Sequence, residues 1–87
     1  MVAGGMRLRA YPNPSGGGTV TVEATGEGEV PLRITLSDAQ GRSLASGQLP
    51  LTGLSTITLG LEHLESGVYV LRAWSPEFDH AIKLIVD

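Results

Sequence analysis

The side chains able to do chemistry are few and scattered. His63 and His80 are the only histidines, and each follows an acid, Glu62 and Asp79. Two histidines on separate loops hold a metal only with further ligands at metal spacing, and none are present, so both read as solvated loop residues and no metal site is expected. The carboxylates Glu27, Glu29, Glu62, Glu65, Glu77 and Asp79 also fall in loop-like stretches. Glycoside hydrolysis needs two facing acids in a cleft that holds a sugar, and a chain this short has no length to build one. Cysteine is absent, which excludes a thiolate nucleophile, a thiolate metal site and a disulfide framework. No Gly-x-Ser-x-Gly elbow, phosphate loop or dinucleotide fingerprint occurs. The chain is expected to be non-catalytic, with no cofactor. Trp74, the sole tryptophan, is a candidate sugar platform if exposed, but it sits in an apolar run and is expected in the core.

The bounds agree with a small structural domain. With 87 residues the chain makes one domain, at 6–87, preceded by five residues that read as an artificial start joined to a linker remnant. A chain of this size buries roughly 60–65% of its unfolded surface, enough for one core but no enclosed cavity of much size. Aromatics are only 5%, so the core must come from Val, Leu and Ile. The net charge of −3 without a basic cluster argues against nucleic acid and against an anionic membrane surface. No apolar run approaches the ~20 residues of a membrane-spanning helix.

Period-two alternation recurs along the chain. Met6–Ala10 reads as an edge strand. Tyr11-Pro12-Asn13-Pro14 is a stiff elbow, because each proline holds the residue before it out of the helical region, and the glycines after it supply slack. Thr19–Ala24 puts Val20, Val22 and Ala24 inward. A polar glycine loop, 25–29, leads to Pro31, which opens a strand with Leu32, Ile34 and Leu36 inward. Asp38-Ala39-Gln40-Gly41 is a turn, and Arg42–Leu49 returns from it, with Gly47 suggesting a bulge or a weak end. Residues 50–55 read as a connection, Thr56–Leu61 as a strand and Glu62–Ser66 as a crossover. Gly67–Trp74 is apolar on both alternating faces and is expected in the middle of a sheet, covered on both sides. Residues 76–79 turn into the last strand, Ala81–Val86. Seven short strands without helical period predict an all-β, antiparallel, immunoglobulin-like Greek-key sandwich. Such a sandwich has four edge strands, and Arg7, Arg9 and Lys83 are charges that discourage edge pairing.

Taken in order, Tyr11-Pro12-Asn13-Pro14 with its glycines, the Leu32–Leu36 strand entering Asp38-Ala39-Gln40-Gly41-Arg42, Leu64-Glu65-Ser66-Gly67-Val68-Tyr69-Val70 and the closing Ile82–Val86 strand resemble the C-terminal sorting domain of cargo proteins of the type IX secretion system. The resemblance runs from Tyr11 to Val86. Flagellar-hook capping proteins have a similar sandwich with a Pro-Asn-Pro elbow, but their Trp-Asp-Gly stretch is replaced here by Thr58-Leu59-Gly60-Leu61-Glu62-His63. The resemblance implies an exported protein that crosses the periplasm to the cell surface or medium. It implies reading by the outer-membrane translocon, a sortase-like protease as second partner, and attachment to surface lipopolysaccharide. By match, the motif residues are Pro12, Asn13, Pro14, Asp38, Gly41, Leu64, Gly67, Tyr69, Lys83 and Leu84. The alternative from a different class is a carbohydrate-binding or passive accessory module of a secreted glycoside hydrolase or protease. The isolated domain is expected as a monomer, with at most weak self-pairing through a free edge.

Overall fold

A computed structural model describes residues 5–14, 16 and 18–87. Residues 1–4 of the expected start and linker remnant, 1–5, and Ser15 and Gly17 of the glycine tract lie outside the described residues. The described chain is all-β. Its strands are β1 (Arg7–Tyr11), β2 (Thr19–Glu27), β3 (Leu32–Ser37), β4 (Ser43–Leu49), β5 (Thr52–Gly60), β6 (Gly67–Trp74) and β7 (Asp79–Val86). They form two antiparallel sheets, ordered β1-β2-β5 and β4-β3-β6-β7. The chain changes sheet between β2 and β3, again between β4 and β5, and again between β5 and β6. This places β5 beside β2 and β6 beside β3, the Greek-key arrangement of an immunoglobulin-like sandwich.

The core follows from the alternation. Val20, Val22 and Ala24 of β2 face Leu32, Ile34 and Leu36 of β3, and Tyr69, Leu71 and Ala73 of β6 complete the layer with Leu84 and Val86 of β7. Each fully buried Leu or Val contributes about 1.5–3 kcal/mol relative to an exposed one. Leu49, Leu51 and Met6 close the core at its lower end, and Leu61 at the other. The sandwich therefore has two distinct ends. The elbow end carries Pro12–Pro14, the β3–β4 turn, the β5–β6 crossover and Val86. The far end carries Met6, the β2–β3 and β4–β5 connections and the β6–β7 turn.

Several expectations are corrected. β6 is central in its sheet, between β3 and β7, but it is covered on one side only. Val68 and Val70 are 47% and 40% exposed. Trp74 shares that outer parity and is half-buried, so it is not a core residue. Burying the Tyr69 face already fills the layer between the sheets, and no third layer covers the other. Residues 52–55 belong to β5, paired through Glu27↔Thr52 to Ala24↔Ser55. This in turn makes β2 run to Glu27, where a loop was expected. Gly47 is not a bulge: it pairs in register with Ile34, and the register shift lies between Leu36 and Ser37, where Leu44 is the extra residue of β4. Gly47 marks a close approach, since a Cβ there would meet Ile57 Cδ1 at 2.8 Å. β7 starts at Asp79, two residues early, because the β6–β7 turn is tight: the Ser75 N–H donates to the Phe78 carbonyl at 2.7 Å.

Candidate recognition surface

The elbow is built onto the edge of β7. β1 carries the chain to Tyr11, whose hydroxyl donates to Glu23 Oε1 at 3.1 Å, and the Arg9 guanidinium lies 5.1 Å from the Tyr11 ring centre. The hydrogen bond to Glu23 raises the Tyr11 pKa above the usual phenol value. Both Tyr11-Pro12 and Asn13-Pro14 peptide bonds are cis. Between the prolines, Asn13 turns its carboxamide onto a strand seventy residues away. Its Nδ2 donates to the Lys83 carbonyl at 2.9 Å, and its Oδ1 accepts the Ile85 N–H at 3.0 Å. β1 and β7 are edges of different sheets, so this one side chain joins the two layers along their shared border.

The β3–β4 turn is organised by Asp38. Its Oδ1 accepts the N–H groups of Gln40 at 3.0 Å and Arg42 at 2.9 Å, and its Oδ2 accepts Arg42 Nε at 3.1 Å. The Gly41 N–H closes the turn on the Asp38 carbonyl at 3.0 Å, and Gly41 takes φ of +88°, a conformation L side chains rarely adopt. The Arg42 backbone N–H, more than any other group, holds the Asp38 carboxyl below its usual pKa; the Gln40 N–H and the Arg42 charge act in the same direction. Across from this turn, Tyr69 sits 8% exposed in β6, and its hydroxyl donates to the Glu65 carbonyl at 2.6 Å. This is the tyrosine-corner geometry: a strand tyrosine ties down the crossover that precedes it. Leu64 packs its half-buried side chain against the core from that crossover. Gly67 begins β6, and a Cβ there would come no closer than 4.0 Å to Tyr69 Cε1. The turn and crossover flank an open depression of about 500 Å³, lined in part by Asp38, Leu64, Gly67 and Tyr69.

All ten residues singled out from the sequence thus lie at or near the elbow end: Pro12, Asn13 and Pro14 in the elbow, Asp38 and Gly41 in the turn, Leu64 in the crossover, Gly67 and Tyr69 in the first three residues of β6. Lys83 and Leu84 complete the set in β7, opposite Val70 and Tyr69. Asn13 and Lys83 are joined directly across the two sheets, through the Lys83 carbonyl, and Asp38 and Gly41 within their turn. The two acid–histidine pairs are not brought together. Glu62 and His63 are at the elbow end, and Asp79 and His80 are at the start of β7 near the far end. Among the described residues no group of three or more His, Asp or Glu is placed to hold a metal.

Sequence reasoning missed one cluster on the outer face of the larger sheet. Arg72 donates through Nε and Nη2 to both Asp79 oxygens, at 2.9 and 2.8 Å, and its guanidinium stacks 4.8 Å from the Trp74 ring centre. The hydrogen bonds from Arg72 hold the Asp79 carboxyl below its usual pKa. The only local signal was the Arg-x-Trp spacing in β6, which puts both side chains on one face.

A search of curated proteins returned no match. The family model for the secretion system C-terminal sorting domain matches residues 9–87. That span holds the elbow, the turn, the crossover and the last strand together, and the chain belongs to the family of type IX secretion C-terminal sorting domains.

Proposed function

We infer that this domain is the non-catalytic address of a protein exported by the type IX system, and that the secretion machinery reads it as a folded surface at the elbow end. What supports the reading is the gathering of the ten motif residues at that end, with Met6 at the other. A passenger joined ahead of Met6 would then hang from the far end, roughly 26 Å away along an eight-residue strand, and leave the recognition end clear. Asp38, Gly41 and Tyr69 shape that surface. Each spends its polar groups or its backbone freedom on the turn or the crossover, so their role is to hold the surface in form. Asn13, Lys83 and Leu84 present the last strand to a translocon component, and an exposed edge is the kind of element onto which a partner adds a strand. Cleavage by a sortase-like protease and attachment to surface lipopolysaccharide follow export in this reading.

The test is a reporter fused ahead of Met6 and expressed in a host with the type IX system. Deleting Lys83 to Asp87 is expected to abolish its appearance outside the cell. Undiminished export of the deletion would show that the terminal strand is not the signal.

One observation favours a second reading, glycan retention. Trp74 is not in the core, and it borders an open groove of about 400 Å³ with Val30, Pro31, Arg33, Gln48 and Pro76. Pull-down of the domain on insoluble polysaccharides, with Trp74→Ala as control, separates the two. Retention that depends on Trp74 would support the accessory-module reading.

A further inference from the structure

We propose that the Asn13 carboxamide is a plug in the edge of β7, and that the edge it closes is a seat for an extended strand of another polypeptide carrying a carboxylate. The proposal rests on the export reading only in taking β7 as a recognised strand.

On an edge strand, alternate residues direct their N–H and C=O groups away from the sheet. Lys83 and Ile85 share that parity, and the Asn13 side chain bonds one outward group of each, the Lys83 carbonyl and the Ile85 N–H. A residue of a parallel strand lying opposite Leu84 would make the same pair of bonds. Asn13 therefore occupies the place of one residue of an added strand. Asn13 is exposed, so water competes for both bonds and an incoming strand displaces it without burying an unpaired group.

The surroundings specify what would lie there. Lys83 and Ile85 point to the outer face, beside Val70 and Val68 of β6. Both valines are exposed, and the Lys83 ammonium makes no ion pair among the described residues. A strand seated in parallel on β7 would put the residues before and after its central one over Lys83 and Ile85. A carboxylate followed two places later by an apolar side chain satisfies both.

The experiment compares the wild-type domain with Asn13→Ala, each checked for fold by circular dichroism. Hydrogen exchange of the Ile85 amide is expected to speed up at least tenfold in the variant, while Leu84, whose amide faces β6, keeps its rate. A fluorescein-labelled eight-residue peptide of alternating threonine and valine, with one glutamate two places before a valine, is expected to bind the variant at least ten times more tightly than wild type. Adding Lys83→Glu should remove that gain. Should Asn13→Ala fail to fold, Asn13→Asp keeps the acceptor for Ile85 and loses the donor to Lys83, and an intermediate peptide affinity is expected. Equal affinity for wild type and variant, with the Ile85 amide exposed, overturns the plug. Dimerisation of the variant in light scattering without peptide binding gives the seat to a second copy and overturns the acidic strand. Neither result touches the reporter experiment, and undiminished export of the 83–87 deletion would overturn the export reading while leaving the peptide result in place.

Discussion

Replacing Tyr69 by Phe isolates the hydroxyl that ties the β5–β6 crossover to β6. The ring, 8% exposed in the core, is kept, so the packing contribution is unchanged and only the 2.6 Å bond to the Glu65 carbonyl is lost. A net intramolecular hydrogen bond contributes about 0.5–1.5 kcal/mol. Glu65 is exposed, so water takes over its freed carbonyl and no lasting desolvation cost is added. The expected loss is therefore about 1 kcal/mol. At 0.05–0.15 kcal/mol per residue, a domain of this length has on the order of 4–13 kcal/mol in all, and 1 kcal/mol lowers the Tm by roughly 4–8 °C. Thermal unfolding followed by circular dichroism measures the shift. Urea titration should show a lower midpoint with the same slope, since the surface exposed on unfolding is unchanged. Amides of residues 64–66 should exchange faster, marking a crossover released at one point. Tyr69→Ala, which also empties the ring's place, should cost about 3–5 kcal/mol, like other large-to-small aromatic changes in cores. A Tyr69→Phe Tm within about 1 °C of wild type would refute the argument that the hydroxyl anchors the crossover.

Three further outcomes follow from the same geometry. Gly41→Ala should destabilise by about 1–2 kcal/mol in urea titration, because φ of +88° disfavours any Cβ although no atom lies within 4 Å of it. Gly67→Ala should leave the unfolding free energy from urea titration unchanged to within about 0.5 kcal/mol, since its Cβ has room; a fall in reporter export with that variant would then report on recognition and not on folding. Asp38→Ala should lower stability at neutral pH and lose its effect in acid. The folded carboxyl titrates below its usual value, so its stabilisation is complete above the unfolded pKa of about 3.9 and disappears as pH falls through the folded one. Wild-type and variant melting curves that stay equally far apart at pH 7 and pH 2 would contradict this.

Local pattern determined much of this protein. Val20, Val22 and Ala24, or Leu32, Ile34 and Leu36, alternate cleanly against polar neighbours, so their faces and their inward side were legible from the sequence. The turn at Asp38–Gly41 was legible too, because its bonds run between residues at most four apart. What tertiary structure alone decided has one physical reason in two forms. Period-two alternation says which residues share a face but not which face is covered. In β6, where both faces are apolar, only the position of the second sheet sends Tyr69 and Leu71 inward and leaves Val68, Val70 and Trp74 outside. Pairing over long separations has no local signature either. The early start of β5 depends on Gly26 and Glu27 lying opposite Gly53 and Thr52, and the bonds from Asn13 to Lys83 and Ile85 exist only once two edges of different sheets are folded side by side.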